Sequence, residues 1–365
     1  MTQLKVGVFG AGMIAQIEHI PNLLHLKDKF SVARVADPSA MARGFVEERF
    51  GVATCTTIEE LLNDKLDALL VAAPDFAHYG AIRRGLEAGL HVFTEKPLCY
   101  GRSQADALIA TRNRAQKICQ VGYMKRFDPS YEAALEALPA DKSKLRFISV
   151  EVNEPDAEYQ MAQHPYRKSS DVPAEMIAAG REETRLQVRG ALGADVDELT
   201  FRGFTGAYAS SLVHDVNAVH GILEKLGIAD VVPTNAEIFA GGEGGAATVR
   251  FNGGNAVWQM MHLMVPKLAD YRERISLYFD DQVIELTFPS PYLDNQQTEL
   301  IIQRSNGHRY ERTLVRNGYQ ESYVRELEGF WSSVVEGAPV RNTLEQAKRD
   351  MGLLCDFAKM AGKVR

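Results

Sequence analysis

Glu95-Lys96-Pro97 is the stretch of this chain whose residue types and order could do chemistry. It follows a short apolar run, Leu90–Thr94. Pro97 restrains its own backbone and biases Lys96 toward extended geometry, so a turn is expected there. A primary amine then stands at the carboxyl end of a strand, where open α/β sheets bind their ligands. Beside a nicotinamide, such a lysine can hold an alcohol while hydride leaves its carbon. The motif Gly10-Ala11-Gly12-Met13-Ile14-Ala15 supplies a site for that nicotinamide cofactor, because it fits G-x-G-x-x-G/A. Gly10 makes the tight turn, Gly12 lets the backbone approach a pyrophosphate, and Ala15 allows close helix–strand packing. Met13 and Ile14 open the helix whose free N–H groups face the phosphates. Asp37 ends the next strand, where a carboxylate binds the ribose hydroxyls of NAD and repels a 2′-phosphate. NADP is the less favoured cofactor, although Arg34 or Arg43 could assist a phosphate. Ala73-Pro74 closes another strand, and His78 opens the helix after it, either facing the cofactor or serving the fold.

The elements that must position these residues can be read from periodicity. From residue 4 to about 122, short apolar strands alternate with stretches of helical period. Such a βαβ pattern implies a Rossmann-type, doubly wound parallel sheet. After Tyr123, strand-like runs follow one another, several joined by turn residues such as Asn252-Gly253-Gly254. They predict an α+β domain with a large, open, mainly antiparallel sheet. A polar insertion covers about 153–198, with a helix over Ala174–Leu192. The expected domains are therefore 1–124 for cofactor, 125–345 for substrate and self-association, and 346–365 as a last helix packing back near the first domain.

Bulk properties narrow the function class. The chain has 365 residues, 45% hydrophobic and 24% charged, as globular proteins do. A formal charge of −7 without any basic run argues against affinity for nucleic acid or anionic membrane. No apolar stretch is long enough to span a bilayer. The first strand starts near Leu4, which leaves no room for a secretory signal. Cys55, Cys99, Cys119 and Cys355 are scattered, which suggests reduced thiols in a cytoplasmic protein. No His, Cys and carboxylate pattern has metal-ligand spacing, so no metal is expected.

A family resemblance rests on Gly10 to Ala15, Ala72-Ala73-Pro74-Asp75-Phe76-Ala77-His78, Glu95-Lys96-Pro97 and Gly122-Tyr123-Met124-Lys125-Arg126-Phe127-Asp128-Pro129. In order and spacing these motifs resemble the Gfo/Idh/MocA family of glucose–fructose oxidoreductase, inositol dehydrogenase and relatives. The resemblance implies NAD(P)-dependent redox chemistry on sugars, cyclitols or their derivatives. It implies that Glu95 and Lys96 lie at the cofactor, that Lys96 is catalytic or orients substrate, and that the Lys96–Pro97 bond is cis. It also implies a homodimer or homotetramer formed through the second domain's sheet.

Ala207–Gly227 reads as a helix, with Leu212, Val216, Val219, Leu223 and Leu226 in one apolar stripe. His214 and Asn217 fall on the opposite side and His220 toward its border, a face that suits a polar cleft better than bulk solvent. Inositol-dehydrogenase-like relatives carry an Asp and, three residues later, a His on this helix. That register puts His220 at the catalytic histidine and Asn217 at the aspartate, a departure that removes a charge. The expected scheme sets a secondary alcohol between Lys96, His220 and the nicotinamide. His220 takes the proton, Lys96 stabilises the alkoxide, Asn217 orients substrate or His220, and His214 touches substrate. Tyr123 and Arg126 are candidates for lining the same cleft, with a salt bridge between domains as the structural alternative for Arg126. Two other functions use the same features: a glycosidase in which NAD transiently oxidises a sugar hydroxyl, and a cofactor-sensing regulator without catalysis. Trp258 and His262 alternate on a strand and fit the core or an interface.

Overall fold

The computed structural model describes residues 2–193 and 195–363. They form two compact units. The first comprises the chain up to Met124 with His164–Gly193 and Tyr323–Met351. The second comprises Lys125–Gln163 and residues 195–322 and 352–363. The division thus differs from uninterrupted segments 125–345 and 346–365. Part of the polar insertion groups with the first unit because it is bonded there. Gly180 leaves room for the Phe76 ring, which a Cβ would approach to 2.7 Å. Gln187 donates to the Phe76 carbonyl at 2.8 Å.

The first unit holds six strands: β1 Leu4–Phe9, β2 Phe30–Ala36, β3 Thr54–Cys55, β4 Ala68–Val71, β5 His91–Glu95 and β6 Cys119–Gly122. All pairs are parallel, in the order β3-β2-β1-β4-β5-β6. This is the doubly wound arrangement, with a switch point beside β1. Strands buried on both faces need continuous apolar runs, and Ala68–Val71 is fully buried. A helix over Ser322–Val335, for which no signal was read in the sequence, completes this core. Leu327, Phe330 and Trp331 pack with Leu4, Val6 and Val8, and the Trp331 indole donates to the Thr2 carbonyl at 2.9 Å.

The second unit holds β7 Leu145–Glu154, β8 Val231–Phe239, β9 Gly244–Phe251, β10 Ala256–Met264, β11 Arg272–Phe279, β12 Gln282–Phe288, β13 Glu299–Asn306 and β14 Arg309–Val315. Their order is β14-β13-β12-β11-β7-β10-β9-β8, and only β7 with β10 is parallel. β14 escaped the sequence reading because six of its seven residues are exposed, leaving no apolar alternation to see. A helical run lies against this sheet. It begins as π-helix over Phe204–Leu212 and continues as α-helix over Val213–Lys225. The Tyr208 hydroxyl sits 2.9 Å from the Glu237 carbonyl, and His220 stands edge-on to Trp258 with centroids 5.7 Å apart. Trp258 and His262 are both buried, the core outcome of the two expected for them.

Candidate functional site

The glycine loop follows β1. Gly10 has φ +102°, and a Cβ there would lie 2.4 Å from the Ala72 carbonyl oxygen, so the turn admits only glycine. At Gly12 a Cβ would meet nothing within 4 Å. The backbone there is exposed, with open space above it, as a pyrophosphate cradle requires. Met13 and Ile14 are half-buried, and Ile14 packs on the core beneath. Asp37 is half-buried at the end of β2. Its Oδ2 accepts from Ala11 N and its Oδ1 from Ser39 N, each at 2.8 Å. The carboxylate is thereby fixed beside the loop, with lone pairs left for ribose hydroxyls. These residues fit a dinucleotide. Arg34 is paired with Asp64 at 3.3 Å, and Arg43 Nη1 donates to the carbonyls of Asp37 and Pro38.

Two further loops leave the carboxyl ends of neighbouring strands. Ala73 and Pro74 follow β4, and Lys96 follows β5. The Lys96–Pro97 peptide is cis and Lys96 is half-buried. His78 is fully buried, with Nδ1 2.7 Å from the Pro97 carbonyl oxygen and Nε2 2.8 Å from that of Ala73. It ties the two loops together. Glu95 is likewise turned inward, 6% exposed. Its Oε1 lies 2.7 Å from His19 Nε2, and its Oε2 accepts from Lys96 N at 3.1 Å. Burial pushes the Glu95 carboxyl up, but His19 and Lys96 outweigh that and hold it below the usual carboxylate range. Glu326, from the helix the sequence did not reveal, completes this buried cluster. Burial and the neighbouring Glu95 and Glu18 push its carboxyl well above the ordinary range, and it finds no hydrogen-bond partner among the described residues. Donor atoms of His19, Glu95 and Glu326 lie within 4.8 Å of one another. The 2.7 Å His19–Glu95 contact is a hydrogen bond, shorter than the roughly 3 Å that separates two ligands of one ion at bonds of about 2.0–2.2 Å.

Tyr123 belongs to the first unit, is 1% exposed, and accepts from Asn342 Nδ2 at its carbonyl. The remaining candidates lie in the second unit. The helix Val213–Lys225 is covered on the side expected to face a cleft. Arg126 donates from Nε and Nη2 to the Asn217 carbonyl, at 3.1 and 2.9 Å, and pairs with Glu224 at 3.0 Å. The Tyr131 hydroxyl donates to the Ala218 carbonyl at 2.8 Å. Gly221 permits this approach, since a Cβ would lie 2.3 Å from the Tyr131 oxygen. Asn217 is fully buried, and His220 is 3% exposed against Trp258. The Arg126–Glu224 pair lies within one unit, whereas the salt bridge expected for Arg126 was one between domains. His214, just past the π-helix, is half-buried, and Ser210 is exposed.

A second buried polar cluster went unnoticed in the sequence. Lys125 is in contact with Glu273 and lies 3.7 Å from Asp215. The Tyr271 hydroxyl donates to Glu273 at 2.8 Å, and Ser211 donates to Glu154 at 2.7 Å. Burial would lower the Lys125 ammonium, yet Asp215 and Glu273 raise it. Asp215 itself is pushed well up by burial and by Glu273. Lys125 adjoins Arg126 in a motif already singled out, which is the one signal that could have found it.

The chain is similar to known proteins. Residues 4–123 match the model of Gfo/Idh/MocA, an oxidoreductase family with an NAD-binding Rossmann fold. An inositol 2-dehydrogenase from Corynebacterium glutamicum is 33% identical over 131 residues, 35% of this chain and 39% of that protein. The chain thus spans about two fifths of the length of the first curated relatives it matches. A myo-inositol 2-dehydrogenase from Thermotoga maritima is 26% identical over 364 residues, 97% of this chain and 95% of that one. Among solved structures, a 3-ketoreductase from Actinomadura kijaniata in complex with NADP and TDP-benzene superposes with a TM-score of 0.72. It has 20% identity, over 97% of this chain and 96% of that one, a likeness of fold. Residues 4–123 thus match the NAD-binding Rossmann fold of the Gfo/Idh/MocA oxidoreductase family.

Proposed function

We propose that the chain oxidises a secondary alcohol of a sugar, cyclitol or polyol with NAD, or runs the reverse reduction. The observation that carries this reading is the arrangement at the carboxyl ends of β1, β4 and β5. There the open cradle at Gly12 and the Lys96 amine leave strands of one sheet, with only β4 between theirs. NAD, when bound, supplies the hydride acceptor. Lys96 holds the substrate oxygen and stabilises the negative charge that develops as the hydroxyl proton departs. His78 and Glu95 keep the Lys96 turn in place. In the second unit, the run Phe204–Lys225 carries two histidines able to exchange a proton, the half-buried His214 and the buried His220. The names of the inositol dehydrogenases support a cyclitol or sugar as substrate class.

The test is a panel of inositols, aldoses and polyols incubated with NAD, read by NADH absorbance. A substrate found this way should lose about 10²–10³-fold in kcat with Lys96→Ala. Unchanged turnover in that variant, or NAD binding without turnover of any panel member, overturns the reading.

A further inference from the structure

One segment of the first unit lies against the cofactor loop although it comes from far along the chain. Residues 167–171 belong to the polar insertion, yet they are bonded at both ends to the residues that flank the glycine loop. Arg167 N donates to Gln16 Oε1 at 2.8 Å, and Gln16 Nε2 reaches the Arg167 carbonyl at 3.1 Å. The same Gln16 Nε2 donates to the Ala11 carbonyl at 2.7 Å. At the other end, Asp171 accepts from the Ser39 hydroxyl and, through Oδ2, from Met41 N at 2.9 Å. Ser39 N in turn donates to Asp37, and Asp37 accepts from Ala11 N. Arg167, Gln16, Ala11, Asp37, Ser39 and Asp171 therefore form one continuous belt of hydrogen bonds around the loop.

The position of Asp171 in that belt is chemically specific. Ser39 is the N-cap of the helix Ala40–Phe50, and its hydroxyl also accepts from Ala42 N. This helix start follows directly on Asp37, the residue suited to the ribose hydroxyls. A phosphate on the ribose 2′-oxygen would extend past Asp37 toward these donors, where the Ser39 hydroxyl, the Met41 N–H and the positive end of the helix dipole favour an anion. The chain's own carboxylate already holds that place. The Ser39 and Met41 contacts keep the Asp171 acid below the usual carboxylate range, so it is ionised at neutral pH. Two cations near Asp37 are engaged elsewhere, Arg34 with Asp64 and Arg43 with backbone carbonyls.

We propose that Asp171 is a cofactor-specificity residue, whose carboxylate takes the donors a 2′-phosphate needs and repels that phosphate, restricting the site to NAD. The proposal rests on the reading of Gly10 to Asp37 as a dinucleotide site and assigns the choice between NAD and NADP to a residue outside that motif. It explains why Asp37 alone need not decide: a second negative charge guards the same corner from the insertion.

The experiment is a titration of the full chain with NADH and, separately, NADPH, followed by nucleotide fluorescence, for wild type, Asp171→Asn and Asp171→Ala. Wild type should prefer NADH. In both variants the ratio of NADPH to NADH dissociation constants should fall about tenfold or more, as one like charge is removed near the phosphate. The wild-type preference should also weaken as salt is raised, and less so in the variants. NADH binding reports in every variant that the site is folded. A ratio within about twofold of wild type in both variants overturns the role of Asp171 and leaves the dinucleotide site standing. Wild type that binds neither nucleotide overturns the dinucleotide site and Asp171 with it.

Discussion

Nε2 of His19 lies 2.7 Å from Oε1 of Glu95, the residue that leads into Lys96. His19 comes from the helix that follows the glycine loop, so the cofactor loop and the Lys96 turn share one buried contact. Glu95 is acceptor there to both His19 and Lys96 N, and it stays ionised because those neighbours outweigh its burial. Glu326 beside it is held in the neutral form.

That contrast predicts a pH dependence of stability. The folded-state pKa of Glu326 is raised, so its contribution is present in full below the unfolded value near 4.5 and is lost as pH rises through the folded value. Glu326→Gln copies the neutral acid and abolishes that loss. In urea unfolding, the stability of Glu326→Gln relative to wild type should therefore climb as pH rises above the unfolded value near 4.5. A difference that stays flat across that range would show that the Glu326 carboxyl titrates in the folded protein as it does in the unfolded one.

His78 predicts a cost in stability. Its ring spans the carbonyls of Ala73 and Pro97. His78→Phe keeps a ring but removes its N–H donor, and a neutral imidazole donates to only one of the two oxygens, so one buried acceptor is left unpaired at about 1–3 kcal/mol. A loss of about 1–3 kcal/mol in urea unfolding is expected. A loss under about 0.5 kcal/mol would mean that water or another donor replaces the ring.

The two histidines of the run Phe204–Lys225 should separate. His214→Ala should lower kcat about 10²–10⁴-fold with little change in stability, as loss of a proton acceptor does. His220→Ala should instead destabilise by about 2–4 kcal/mol, because it opens a cavity beside Trp258. The reverse pattern would restore His220 as the acceptor.

What could be read from sequence was local. Gly10, Gly12 and Asp37 announce themselves because their spacing is set by one strand, one turn and the next strand. The helix Ala174–Leu192 was legible to its ends, since periodicity and Gly193 bound it. The burial of Asn217 and His220 was not legible. A helical wheel shows that a face lacks apolar side chains, but not that Arg126, Tyr131 and Trp258 will cover it. Glu326 and Asp171 escaped for the same reason: each meets its partners, His19 and Glu95 or Ser39 and Met41, across more than a hundred residues of chain. The π-helix Phe204–Leu212 was also hidden, because its wider turn depends on what it packs against rather than on residue types.

The helix carrying Leu327, Phe330 and Trp331 has a consequence for how the protein is made. The first strand leaves the ribosome early, yet its core partners are encoded more than three hundred residues later. At synthesis rates of about 5–20 residues per second, the roughly 200 residues from β6 to Trp331 take about 10–40 s to appear. Through that interval the nascent cofactor domain keeps an apolar surface open where Trp331 will later close over Thr2. The protein must therefore be born with its first domain unsealed, and any chaperone that binds it during translation should find its apolar target there.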